Sequence, residues 1–155
     1  MFGDQPVHRI TIAAVLLATS LALPAMAQTA GAPAALIAGR QAGMDLLSAV
    51  SGDIKRTVEA KGDVKPLKPN ADAIAAWGKA IPGMFMPGSE AGATTKALPA
   101  VWSDRAGFEK AAANLASAGE KLSAAAAAED KAGFAEAYAA VGQACGACHR
   151  GYRAR

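Results

Sequence analysis

The sequence predicts an all-α protein, an antiparallel up-down four-helix bundle. Apolar residues in its C-terminal half recur at alternating steps of four and three, the seam of a left-handed bundle. No segment shows the period-two alternation of a half-buried strand. Composition agrees: the chain has 155 residues, 52% hydrophobic but only 5% aromatic. Much of the apolar count is alanine, a strong helix former that offers little side chain to pack.

The elements follow in order. Apolar residues at Leu36, Ile37, Met44, Leu47, Val50, Ile54 and Val58 predict a first helix from Ala34 to Lys61. Gly62, Pro66 and Pro69 then mark a stop and a loop. Asn70 is the expected cap of a second helix, which carries Ile74 and Trp77 and ends before Pro82. Residues 82–101 show no clean period and carry repeated Pro and Gly, so they predict a long functional loop. Ser103 or Asp104 caps the third helix, with Phe108, Ala112, Leu115, Gly119, Leu122 and Ala126 on its seam. Asp130 caps the fourth, with Phe134, Tyr138, Val141, Cys145, Cys148 and Tyr152. Alanine and glycine fill several seam positions. Either the helices approach very closely or something large sits between them.

Charge excludes one class of partner. The formal net charge is only +3, and the basic residues are scattered, so nucleic-acid binding is not expected. The local cluster Arg150, Arg153 and Arg155 reads as a basic helix end complementing the helix dipole. The N-terminal segment reads as an address. His8 and Arg9 precede an uncharged run of 14 residues, Ile10 to Leu23, and then Pro24 and Ala25-Met26-Ala27. This is the pattern of a secretory signal peptide over residues 1–27, cleaved after Ala27. The run is shorter than the ~20 apolar residues of a membrane span. The mature domain is then residues 28–155, with no span after cleavage. It retains a single histidine, His149, and the methionines Met44, Met84 and Met86.

Cys145-Gly146-Ala147-Cys148-His149 is a C-x-x-C-H sequence, the attachment pattern of c-type haem. On a helix, residues three apart share a face. Two thiols so placed can add to the two vinyl groups of one porphyrin, and the adjacent imidazole can reach the iron. A thioredoxin-like dithiol is the rival reading, but it expects a strand before the helix. A zinc site expects four ligands. One covalent haem c, its iron held by His149, is therefore expected. A second histidine ligand is excluded. A methionine ligand would have to come from Met44, Met84 or Met86.

At this point the chain resembles the class II cytochromes c, the cytochrome c′ family, over nearly the whole mature region. Arg40-Gln41-x-x-Met44 resembles the family's motif in the first helix. Phe85 with Pro87-Gly88-Ser89 resembles its haem loop, Thr95 to Asp104 its lead into the third helix, and Cys145 to Arg153 its C-terminal site. The resemblance implies thioether bonds at Cys145 and Cys148 and axial ligation by His149. It implies haem contacts at Arg40, Gln41, Thr95, Lys96 and Arg153, and places Met44 on the distal side of the iron.

The family's two branches give two functional expectations. With Met44 as sixth ligand, the protein is a periplasmic electron carrier, not an enzyme, serving redox partner proteins. With the sixth position vacant, the iron is five-coordinate and high-spin and binds nitric oxide or carbon monoxide. The first is the expectation here, because a thioether is available. The resemblance also implies that two copies can pair as a homodimer. A thiol oxidoreductase using Cys145 and Cys148 is the expectation from a different class.

Overall fold

The computed structural model describes residues 26–155. The predicted signal peptide, residues 1–27, lies outside the described residues except for its last two. Four long helices build the fold: α1 (Met26–Glu59), α2 (Lys68–Ala80), α4 (Arg105–Ala127) and α5 (Lys131–Tyr152). A short helix, α3 (Ala100–Ser103), leads into α4. Among the described residues there is no strand, and one isolated bridge joins Ala97 to Arg153. No described helix is long and apolar enough to cross a membrane.

Local chemistry sets the helix ends. Asp104 accepts from the Gly107 amide and caps α4, and Asp130 accepts from the Gly133 amide and caps α5. Of the two expected caps for α4, Asp104 is thus the one used. Asn70 does not cap α2. The helix begins at Lys68 after a 3-10 turn, with Pro69 in its first turn. Proline suits that turn, because an amide there would have no helical partner. The stop of α1 also differs in detail from the sequence expectation. Lys61, rather than Gly62, takes the left-handed conformation at φ 52°. The Gly62 amide then reaches back to Thr57 and the Lys61 amide to Val58, closing a Schellman motif. The end of α4 repeats it, with Glu129 at φ 58° and the Asp130 amide on Ala125. Lys65 pairs with Glu129 at 2.7 Å, tying these two turns together at one end of the bundle.

The loop expected over residues 82–101 is only partly irregular. Ile81–Met84 forms a 3-10 turn, and α3 occupies the last part.

The α4 helix is central and packs most closely on α2 and α5, while α1 lies on α2 and touches α5 sparingly. The first answer to the thin seams is seen between α2 and α4, where the helices approach closely. A Cβ on Gly78 would lie 2.5 Å from the Ala116 backbone, and one on Gly119 2.6 Å from that of Ala75. Between α1 and α5 the link includes a hydroxyl pair, Ser51 with Tyr138 at 3.0 Å. Phe108, Phe134, Ile54, Ile74 and Leu122 are the large side chains sealed in the core.

The close α2–α4 approach makes a prediction. Gly119→Ala puts a methyl group against backbone that cannot swing aside, and should destabilise by ~1–3 kcal/mol. Gly52→Ala meets only the flexible end of Arg56, at 3.6 Å. It should be neutral or stabilising by up to ~1 kcal/mol. Urea midpoints of the two variants check the contrast.

Candidate haem centre

The sequence puts Cys145, Cys148 and His149 in the last two turns of α5. Both thiols are half-buried and rest against the apolar core. Burial pushes both thiol pKa values up, and for Cys148 the neighbouring Cys145 adds to it. They sit at the C-terminal end of the helix, where the backbone dipole also disfavours a thiolate. A redox dithiol needs the opposite, a thiolate at a helix N-terminus or beside a cation. This arrangement therefore counts against the thiol oxidoreductase reading. His149 lies at the surface with part of its ring against the protein. Partial desolvation, and then the Arg153 guanidinium, hold its pKa below the ordinary value. A neutral imidazole is the form that binds a metal. Among the described residues no three His, Cys, Asp or Glu side chains converge as a metal cluster.

The loop and α1 close on this end of α5. Segment 94–98 runs beside the residues that follow His149. Leu98 donates its amide to the Tyr152 carbonyl at 3.0 Å, and Ala154 donates to the Lys96 carbonyl at 2.8 Å. On its other side the segment is held by α1. Gln41 Nε2 donates to the Thr94 carbonyl at 2.9 Å, and Arg40 Nη2 donates to Thr95 Oγ1 at 3.1 Å.

Among the described residues Arg40 is the charged side chain that is buried, at 2% exposure. Its Nη1 donates to both the carbonyl and the hydroxyl of Ser89, each at 3.1 Å. Its guanidinium lies 4.4 Å from the Phe85 ring centroid and 5.8 Å from that of Trp102. Such faces stabilise a desolvated cation. Burial lowers its pKa, and Glu90 works in the opposite direction.

The Arg40 and Gln41 side chains thus hold Thr95 and Thr94, the Lys96 carbonyl accepts from the Ala154 amide, and the Arg153 amide donates to the His149 carbonyl. Met44 lies one turn beyond Arg40 on α1, half-buried and packed on the core. Met84 approaches Gly39, and Met86 is 52% exposed. Sequence reasoning did not assign roles to Ser89 or to Tyr152, which donates to Asp104 at 2.7 Å. A buried arginine demands acceptors, and that demand was the available signal for Ser89.

The donor set fits a covalently held porphyrin. Two protonated thiols three residues apart face the same side as apolar packing surface. Gly146 between them has only the Arg150 side chain near its Cβ position, at 3.3 Å.

A helical bundle carrying C-x-x-C-H in its last helix defines a class, the bundle-type c cytochromes. The family profile described as Cytochrome C' matches residues 35–153. A cytochrome c′ of Rubrivivax gelatinosus is 37% identical over 118 residues, spanning 75% of this chain and 89% of that protein. The crystal structure of cytochrome c′ from Thermochromatium tepidum superposes with a TM-score of 0.74 at 32% identity, covering 79% of this chain and 97% of that one. A nitric oxide complex of a variant of cytochrome c prime from Alcaligenes xylosoxidans has a TM-score of 0.72 at 30% identity, covering 79% and 96%. A carbon monoxide-bound variant of the same protein also matches, with a TM-score of 0.72. A further cytochrome c′ with ligand-controlled dimer dissociation matches at 27% identity and a TM-score of 0.74. The chain belongs to the cytochrome c′ family, a four-helix-bundle family of haem c proteins.

Proposed function

We propose that this chain is an exported, periplasmic haem c protein whose five-coordinate iron binds nitric oxide or carbon monoxide. Cys145 and Cys148 would hold the haem by thioether bonds, and His149 would bind its iron. The haem would supply an iron able to bind a diatomic gas. The chain's own residues prepare that site. The lowered pKa keeps His149 neutral and able to coordinate. Arg40, Gln41, Thr95 and Lys96 fix the loop beside the proximal end of α5, and Arg153 flanks the imidazole. Met44, on α1 and packed on the core, would face the distal side of the haem.

The observation that carries this reading is the family membership, together with the nitric oxide and carbon monoxide complexes of variants of one relative. It favours gas binding over electron transfer through a Met44-ligated iron, the first expectation. The exposed outer face of α1, where Leu46 is 69% exposed beside Ala42 and Ala49, supports pairing with a second copy.

The test is the visible spectrum of the purified, reduced holoprotein with and without carbon monoxide. A five-coordinate high-spin spectrum that changes on adding carbon monoxide is expected. A low-spin spectrum that ignores the gas, and becomes responsive in Met44→Ala, would restore Met44 as ligand and the electron-carrier function.

A further inference from the structure

We infer that Tyr152 is a positioning residue for His149, its hydroxyl anchoring the last turn of α5 to the Asp104 carboxylate at the start of α4. The inference rests on the proposed axial role of His149.

Tyr152 follows His149 by three residues, so the two lie on nearly the same side of α5. Its hydroxyl donates to Asp104 Oδ2 at 2.7 Å, while Asp104 Oδ1 accepts from the Gly107 amide at 3.2 Å. One carboxylate therefore caps α4 and clasps α5. The Tyr152 ring packs edge-on against Phe108, with centroids 5.3 Å apart and planes at 74°. Phe108 is only 2% exposed and in turn packs edge-on against Phe85 at 5.1 Å. Tyr152 is thus fixed at both its ring and its hydroxyl.

The clasp also depends on Gly107. A Cβ there would lie 2.5 Å from the Tyr152 hydroxyl, so only glycine at this position admits the phenol beside the carboxylate.

This anchor does something the backbone cannot do alone. The last turn of a helix lacks its own closing hydrogen bonds and tends to fray. Here the Leu98 amide on the Tyr152 carbonyl and the Ala154 amide on the Lys96 carbonyl hold the chain just beyond His149. The Arg153 amide on the His149 carbonyl closes the turn itself, so its backbone is held along the chain. The Tyr152 hydroxyl adds the tie across to α4. A hydrogen bond to a charged group is also among the stronger ones available at a surface. The direction of the His149 ring, set by the rotation of its turn, is then fixed by Tyr152 and Asp104.

The test uses the purified holoprotein and two variants. Tyr152→Phe keeps the ring on Phe108 and deletes the hydroxyl. Gly107→Ala keeps the tyrosine and crowds both its hydroxyl and the Asp104 carboxylate, opening the clasp from the α4 side. The readouts are the iron–histidine stretching band of the reduced protein by resonance Raman and the midpoint potential, with the melting temperature alongside. Both variants should show the same shifted, broadened band and a displaced potential. If the band and potential stay at wild-type values in both, while only the melting temperature falls, Tyr152 is a structural clasp and the inference is wrong. Should one variant fail to load haem, the other decides alone. Absence of an iron–histidine band in the wild-type protein would instead overturn the axial role of His149.

Discussion

Cys145→Ala combined with Cys148→Ala should give a chain that carries no haem and unfolds without a cooperative transition. The reason is the unequal closure of the bundle. Between α2 and α4, Gly78 and Gly119 let the backbones touch, and that seam is complete. The α1 and α5 helices share much less contact, and Met44 and Leu47 on α1 and Tyr138 and Cys145 on α5 are only partly buried against the core. An attached porphyrin would contribute apolar surface that alanine seams cannot. Buried apolar area stabilises by ~25 cal/mol per Å², and a domain has only ~5–15 kcal/mol of net stability to lose. Circular dichroism during heating, with haem staining of the denatured protein, checks both parts. A native-like cooperative melt from the double variant would contradict the account.

Arg40→Ala should have the largest effect of any single change to a charged residue, a loss of ~2–4 kcal/mol. Hydrogen bonds to a charged group contribute ~1.5–3 kcal/mol each and do not add fully. Arg40 makes three, to the Ser89 carbonyl, Ser89 Oγ and Thr95 Oγ1. Removing it leaves Ser89, only 1% exposed, with a buried carbonyl and no donor. Arg40→Lys should rescue little, because a single ammonium cannot reach both sides of the loop as the planar fork does. The urea midpoint gives the stability change, and proteolysis should become faster within residues 86–95. A variant with wild-type midpoint and unchanged cleavage would show that the loop is held by other means.

Much of this architecture is legible in the sequence, and the reasons differ by element. The caps Asp104 and Asp130 are readable because a side chain and an amide three residues on make a local contract. C-x-x-C-H is readable because its chemistry is written in spacing along one helix. The start of α2 is misread because Asn70 is a good cap on its own, yet Pro69 and the turn before it begin the helix earlier. The stop of α1 shows a similar limit. Gly62 marks the region, but the left-handed residue is Lys61, a choice made by the two back-reaching amides. Contacts distant in sequence are the least legible. Nothing near Arg40 announces Ser89, which is 49 residues away. The pairing of Lys96 to Leu98 with Tyr152 to Ala154 needs the whole bundle in place. Tyr152 occupies an ordinary seam position until α4 brings Asp104 to its hydroxyl.

Mass spectrometry of the purified protein after acid-acetone extraction decides whether haem is covalently attached at Cys145 and Cys148. The haem mass should stay with the chain and map to the peptide containing Cys145 through His149. Two free thiols on that peptide, with no added mass, would contradict it.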